Sequence, residues 1–396
     1  MIILRVVVFA AGLVLVANSL FSAIRTFVVP RGATDRLTRL VFSVTRNFFA
    51  LFLIRRSKRA REGALAYYSP VTLLTLPIVW LACVLVGYTC IYWALGGNSW
   101  NGAFSTSRLS LLSLSSNVGD LPGGPIIAFS ETAFSVLLAA ILVAYLPTMY
   151  SAFSQREATV TGLETRAGAP PTPLKMIFRY YTIHGMDQIS EIWDEWQRWF
   201  EVVEESHTAL QPLVLYRSPQ PNRSWITAAG AVLDSASIVA STLDRPRDPR
   251  AELCIRAGYI CLQRIANVFD IPYDPEPSPS DPISVSRSEY DEVYDALVAK
   301  GIPVKDDRDQ CWRDFAGWRV NYDIPLVALT VLIIAPPAPW SSDRVPYDPS
   351  RLRRARKAAR EVAAQMLERY KSPQVGESAL RVESAPTPKT HLPANH

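Results

Sequence analysis

The stretch that decides the fold runs from Leu109 to Gly124 and reads LSLLSLSSNVGDLPGG. It is polar and rich in serine and glycine, yet it lies between two long uncharged apolar runs, Val71–Leu95 and Thr132–Phe153. Each run has the roughly 20 residues that a helix needs to cross the hydrocarbon core of a bilayer. Non-helical backbone is tolerated at that depth only where protein buries it or where it lines a watery cavity. This order of segments predicts two membrane helices joined by a re-entrant hairpin of the kind that lines a pore.

The distribution of charge predicts the topology. Residues 1–150 contain twelve basic and four acidic side chains, a larger positive excess than the +5 of the whole chain, so the remainder is net acidic. The basic residues lie almost entirely between Arg25 and Arg61, and loops rich in Lys and Arg stay on the cytoplasmic side. We therefore expect a multi-pass protein of the cell membrane with this loop and everything after Ser154 in the cytoplasm. This local excess does not favour nucleic acid as a partner.

A third uncharged run, Val6–Ile24, is just long enough to span the membrane. The basic block that follows favours a retained helix. The alternative is a signal peptide, with Arg5 as its short basic region.

The run Val41–Ile54 is apolar, but it is too short to span and contains Arg46. It predicts an interfacial or packing helix beside the lipid bilayer. The basic side chains that follow it would contact lipid headgroups: Arg55, Arg56, Lys58, Arg59 and Arg61. A solvated basic linker is the alternative.

The rest of the chain predicts an all-α cytosolic domain. The aromatic stripe Trp193, Trp196, Trp199 and Phe200 has helical spacing and is typical of a core rather than of a ligand site. The apolar part of Gln310–Ile334 predicts a core helix, with membrane contact as the alternative. The basic run in Arg351–Tyr370 is typical of a solvated face, with anionic lipid as the alternative partner. We divide the chain into an N-terminal helix with its basic loop, a pore unit, a linker, a helical domain and a disordered tail: 1–69, 70–153, 154–171, 172–371 and 372–396.

No motif of catalysis is found in the sequence. It has no P-loop, no dinucleotide fingerprint and no metal-ligand spacing among its five cysteines and four histidines. The cysteines predict buried, reduced thiols. We therefore expect neither an enzyme nor a cofactor.

The segment between the two central spans can supply the three parts of a pore. Ser105–Leu114 predicts a short helix capped by Ser105 or Ser107, whose negative C-terminal end would point at an ion. Ser115–Gly119 would form an extended strand that offers carbonyl oxygens in place of water. The residues from Asp120 to Gly124 would form the turn back to the outside.

At these residues the segment resembles the pore region of potassium-channel family proteins, whose filter reads T-V-G-Y-G-D. Aligned on Asp120-Leu121-Pro122, the six filter positions are taken by Ser115, Ser116, Asn117, Val118, Gly119 and Asp120. Only Gly119 and Asp120 are identical to the family pattern. The wider chain resembles bacterial membrane proteins with an ion-channel domain, often labelled as two-pore-type potassium channels, although it has a single hairpin.

The apolar runs together predict three membrane helices with a re-entrant pore hairpin. The resemblance, which covers about residues 70–153, implies a homotetramer and passage of monovalent cations such as potassium. Asn117 stands where the family has a glycine, which predicts weak selectivity. The alternative function is a non-conducting membrane sensor or scaffold. A transporter component or a membrane-bound enzyme is a third interpretation.

Overall fold

The computed structural model describes residues 2–27, 36–53, 58–96, 99–112, 121–220, 222–346 and 354–371. These residues form thirteen α-helices and no named strand. In chain order the helices are α1 (Ile2–Phe27), α2 (Arg36–Leu53), α3 (Lys58–Ala94), α4 (Trp100–Leu111), α5 (Gly124–Ala167), α6 (Pro173–Thr182), α7 (Ile189–Ala209), α8 (Trp225–Ser241), α9 (Pro249–Val268), α10 (Arg287–Ala299), α11 (Arg308–Arg319), α12 (Asp323–Ile333) and α13 (Ala355–Lys371).

Three of the described helices are long and apolar enough to cross a membrane. The candidate spans are Ile2–Thr26 in α1, Pro70–Ala94 in α3 and Gly124–Ala167 in α5. The predicted class, an α-helical protein with three helices of membrane-spanning length, is confirmed at this level. The hairpin between α3 and α5 falls largely on residues 113–120, which lie outside the described residues.

Helices α1 and α3 meet through two glycines. A Cβ atom on Gly12 would lie 2.6 Å from the carbonyl oxygen of Gly87, and a Cβ atom on Gly87 would lie 2.6 Å from Cγ2 of Val16. A side chain at Gly12 would require the backbone of α3 to shift, and a side chain at Gly87 would displace Val16 and press on the carbonyl oxygen of Gly12. Small residues that let two backbones approach closely are typical of membrane helix interfaces.

Helix α5 is one continuous helix of 44 residues that joins the two halves of the molecule. Its N-cap is Gly123, which adopts the left-handed conformation with φ of 72°. The helix continues fourteen residues past the expected end of the span at Phe153, and Val160, Leu163 and Ala167 are buried in the core of the domain that follows. Most of the segment 154–171 is therefore helical and packed against that domain.

The helical domain has one large hydrophobic core. The aromatic stripe of Trp193, Trp196, Trp199 and Phe200 is buried in it, and α8 is buried on nearly all sides. The apolar run that ends near Ile334 is also buried in this core. The core helix predicted for the apolar part of Gln310–Ile334 is α12, and a turn that ends at Tyr322 separates it from α11.

A buried ionic cluster lies in the middle of this core. The guanidinium of Arg319 donates to a carboxylate oxygen of Asp234, to Asp323 Oδ1 at 2.8 Å and to the carbonyl oxygen of Trp340 at 2.5 Å. All three charged side chains are almost completely buried. The hydroxyl of Tyr322 also donates to Asp234, at 2.9 Å. Because the acids are paired with a cation and hydrogen-bonded, their burial is compensated.

Candidate functional site

The short helix α4 packs between α3 and α5, just before the predicted filter segment. It begins five residues earlier than expected, at Trp100, because Ser99 caps it: the amide N–H of Gly102 donates to Ser99 Oγ at 3.0 Å. Neither Ser105 nor Ser107 is the cap. The face of α4 turned to its neighbours carries Ala103, Ser107 and Ser110, which are spaced at one and two helical turns.

A buried carboxylate links α4 to both of its neighbours. Glu131, in α5, is completely buried. The hydroxyl of Ser107 in α4 lies 2.5 Å from Glu131 Oε1, and the hydroxyl of Tyr92 in α3 donates to Glu131 Oε2 at 3.1 Å. Within the described ranges, no basic side chain forms an ion pair with this glutamate. An ionisable residue inside a membrane helix indicates a functional site.

Further hydrogen bonds surround this carboxylate. The hydroxyl of Thr132 donates to the carbonyl oxygen of Ser110 at 2.7 Å, and the hydroxyl of Ser107 lies 3.0 Å from the carbonyl oxygen of Leu85. The hydroxyls of Tyr88 and Ser130 are 2.8 Å apart. The C-terminal half of α4 is therefore tied to α3 and α5 by polar contacts, directly before the chain reaches residue 113.

The sequence reasoning missed Glu131, although a signal was available. The predicted span was started at Thr132, so the glutamate fell just outside it. In the structure α5 begins at Gly124, which places Glu131 two turns inside the helix. The signal is that Glu131 is the only acid between two apolar segments, Pro125–Phe129 and the run that begins at Thr132, which together can form one helix.

Most of the site residues predicted from the sequence fall outside the described part of the chain. All six filter residues, Ser115, Ser116, Asn117, Val118, Gly119 and Asp120, lie in the range 113–120, and Arg55 and Arg56 lie in the range 54–57. Lys58, Arg59 and Arg61 lie in the first turns of α3. The filter and the headgroup contacts remain predictions.

The surface of α5 has a face of exposed apolar side chains. Ile126, Phe129, Val136 and Val143 are exposed within a single chain, whereas Ser135 is buried against the rest of it. Ala139 and Val143 are therefore available to another surface, and Ser135 is not. Large apolar surfaces of this kind contact lipid or another protein surface.

A second polar cluster lies where α5 enters the helical domain. Arg156 is buried, pairs with Glu157 at 2.8 Å and lies 3.0 Å from Nε2 of His207. Its guanidinium also donates to the carbonyl oxygens of Leu213 at 3.1 Å and Tyr216 at 2.8 Å. Burial, and then the positive charge of Arg156, hold the pKa of His207 well below its usual range. This cluster fixes α5 to the loop that follows α7.

The described residues contain no group of three or more His, Cys, Asp or Glu side chains that could hold a metal ion. All five cysteines are free. Burial raises the pKa of the Cys254 and Cys261 thiols, so these two side chains are poor nucleophiles.

No model of a known protein family matches this chain, and neither curated proteins nor solved structures show a significant match to it.

Proposed function

We propose that this chain is an ion-channel-like protein of the cell membrane that passes monovalent cations. One observation carries the proposal: a short helix, α4, is held between two helices of membrane-spanning length by the Glu131 contacts. The polar filter segment follows α4 directly. This is the order of parts that a pore hairpin requires, with a short helix aimed inward and a stretch of backbone carbonyls after it.

The proposed cation pathway runs past the segment Ser115–Asp120. Carbonyl oxygens of this segment replace the water around the ion, and Asp120 attracts cations at the outer mouth. Asn117 occupies the position of a family glycine, and an amide side chain offers fewer aligned oxygens than a ring of carbonyls. We therefore propose weak selectivity among monovalent cations rather than a tight potassium filter.

A single hairpin cannot surround an ion, so the proposal requires several copies. Pores of this architecture close by rotational symmetry, and the resemblance to potassium channels implies four copies. The exposed apolar side chains of α5, including Val136 and Val143, are available for contact between copies. The helical domain would then lie in the cytoplasm, next to the basic loop 25–61.

A non-conducting membrane sensor or scaffold is the second candidate, and a specific side chain favours it. Arg108 is exposed on α4, the helix whose end would face the ion. A guanidinium near the pathway repels cations. In this case α5 would report a change in the membrane region to the helical domain through the Arg156 cluster.

Flux of potassium and sodium into liposomes that contain the purified full chain tests the two candidates. The channel proposal expects cation flux in the unmutated protein, lower flux in Asp120→Asn and a higher potassium-to-sodium ratio in Asn117→Gly. The matched control is Asp187→Asn, which removes an exposed acid from the helical domain and should leave flux unchanged.

Two results would overturn the channel proposal. A stable monomer in native mass spectrometry would remove the closed pore. No flux in the unmutated chain, in Asn117→Gly and in Arg108→Gln would leave the sensor or scaffold as the better function.

A further inference from the structure

A large cavity lies where the membrane region meets the helical domain. The described residues enclose about 970 Å³ there. One wall comes from the end of α1, from α2 and from Tyr68 of α3. The other comes from the end of α9, from the first turns of α13 and from the segment around Leu215. Small-molecule sites in proteins are commonly clefts of this size at domain boundaries.

The lining of this cavity is strongly basic. Asp270 pairs with Arg356 at 2.7 Å, and Glu361 pairs with Lys357 at 3.5 Å. No other acid lines the cavity among the described residues. The other four basic side chains of the lining form no ion pair with a described residue: Arg25, Arg39, Arg354 and Arg360. Guanidinium groups gathered from three helical segments repel one another unless an anion lies between them. The arginine fork matches the oxygens of a phosphate or carboxylate.

The same cavity has a hydroxyl pair and an apolar wall. The hydroxyls of Thr26 and Thr38 are 2.9 Å apart and both residues line the cavity. Phe42, Leu215 and Leu332 supply apolar lining. Thr26 donates to the carbonyl oxygen of Ser22 at 2.7 Å, so this pair closes the polar end of the cavity without offering a hydrogen of Thr26 to a ligand. A ligand that suits the basic lining and the apolar wall has an anionic head and an apolar body.

The position of α2 indicates where such a ligand comes from. Leu40, Val44 and Phe48 are exposed on α2, next to the cavity-lining residues Arg39, Phe42 and Ser43. A helix with an exposed apolar face beside basic residues lies in the plane of the membrane interface. The cavity therefore opens at the level of the headgroups.

We infer that this cavity binds the headgroup of an anionic phospholipid, with the phosphate held by Arg39 and Arg360 and the start of the acyl chains against Phe42. The inference goes beyond the proposed function, since binding does not require that the pore conducts. It assigns to the helical domain, through α13, a direct contact with the lipid leaflet next to it.

Native mass spectrometry of the full chain, released from nanodiscs of phosphatidylglycerol or of phosphatidylcholine, tests this inference. We expect phosphatidylglycerol, but not phosphatidylcholine, to remain bound. The double variant Arg39→Gln with Arg360→Gln should lower its affinity at least about tenfold, because each basic residue near an anionic lipid contributes on the order of 1 kcal/mol. The matched control is Arg369→Gln, which removes an exposed arginine on α13 away from the cavity.

The competing results are distinct. Equal loss of lipid in Arg369→Gln would show a general effect of net charge and would overturn the inference. Displacement of the lipid by millimolar glycerol phosphate or inorganic phosphate would assign the cavity to a soluble anion instead. Circular dichroism of each variant shows whether the helices are intact. The double variant Arg39→Lys with Arg360→Lys keeps both positive charges and should retain most of the lipid binding.

Discussion

Two buried acids, one in each region of the molecule, are stabilised in different ways. In the helical domain Asp234 is paired with Arg319, and Asp323 is bound to the same guanidinium. In the membrane region Glu131 is equally buried, but hydroxyl groups of Ser107 and Tyr92 are its partners. A fixed ion pair cross-links a core, whereas a carboxylate bound only by hydroxyls can exchange its partners when helices shift.

The two regions also differ in where their buried charged side chains lie. The domain places charges inside a closed core, at the crossing of α8, α11 and α12. The membrane region places its acid at the junction of α3, α4 and α5, and α4 precedes in the chain the segment that we propose lines the pathway. The domain cluster therefore serves stability, and the membrane cluster positions α4.

The largest expected effect comes from breaking the ionic cluster of the domain. Arg319→Met leaves Asp234 and Asp323 buried without a cation, which should lower the free energy of unfolding by about 3–5 kcal/mol. Denaturant unfolding of the full chain in detergent, followed by tryptophan fluorescence, measures this. Arg313→Met is the control, since Arg313 is exposed on the same helix and its loss should change stability by less than about 0.5 kcal/mol. Similar midpoints for the two variants would contradict the role of the cluster.

Changing the acid of the membrane region should have a smaller effect. Glu131→Leu removes the carboxyl acceptor of Tyr92 and leaves Ser107 only the carbonyl oxygen of Leu85, which costs about 1–3 kcal/mol. Glu131→Gln keeps an oxygen acceptor and should lose much less. The thermal melting of the full chain in detergent compares them. A Gln variant as unstable as the Leu variant would show that the negative charge itself is required, and the contrast with Asp234 would fail.

The joint between the two regions should depend on pH through His207. Its pKa in the folded chain lies well below that of an unfolded chain, which is about 6.5. The unfolded state therefore binds the proton first as pH falls. This contribution to stability is complete above about pH 6.5 and is lost below it, with a limiting slope of about 1.4 kcal/mol per pH unit.

Unfolding midpoints of the full chain between pH 5 and pH 8 measure this dependence. The variant His207→Gln should show a flatter profile than the unmutated chain in this window. The control His184→Gln removes an exposed histidine and should keep the original slope. Identical profiles for the His207 variant and the unmutated chain would show that the imidazole titrates normally in the fold.

The smallest expected effect comes from removing a helix N-cap in each of the two regions and comparing the change in the stability of the helical domain. Ser286 and Glu289 form a capping box at the start of α10, in which the side chains bind each other's backbone N–H at 2.8 and 3.2 Å. Ser286→Ala should lower the stability of the domain by about 1 kcal/mol. Ser99→Ala removes the cap of α4 and should leave domain unfolding unchanged, so it serves as the matched variant. Equal shifts would mean that the two regions unfold together.

The sequence predicts the elements well and their ends less well. The long apolar runs could be assigned because membrane helices need a minimum length, and the described part of the chain contains three such helices. The end of α5 could not be assigned in this way, because its last turns are polar on one face. Their position depends on Val160 and Leu163, which pack into the core of the domain. The cap of α4 was placed at Ser105 or Ser107, although the amide of Gly102 selects Ser99.

Contacts between distant parts of the chain were beyond the sequence. Asp234 and Arg319 are 85 positions apart, and no local pattern indicates that they meet. The capping box of Ser286 and Glu289 can be recognised in the sequence, because its whole signal lies within four residues. The cavity lined by Arg39 and Arg360 joins helices from opposite ends of the chain, so only the fold brings its charges together.

The continuity of α5 has a mechanical consequence. A helix of 44 residues is a rod of about 66 Å, more than twice the thickness of a bilayer core of about 30 Å. Pro147, inside this rod, has no N–H to donate to the carbonyl of Val143, which makes that turn the weakest in bending. Helix α5 therefore has a point of easy bending near its middle. Nine residues further on, the contacts of Arg156 hold the helix against the helical domain. A tilt of the membrane half of α5 therefore bends the helix most easily at Pro147, before the part of the helix that Arg156 holds against the helical domain.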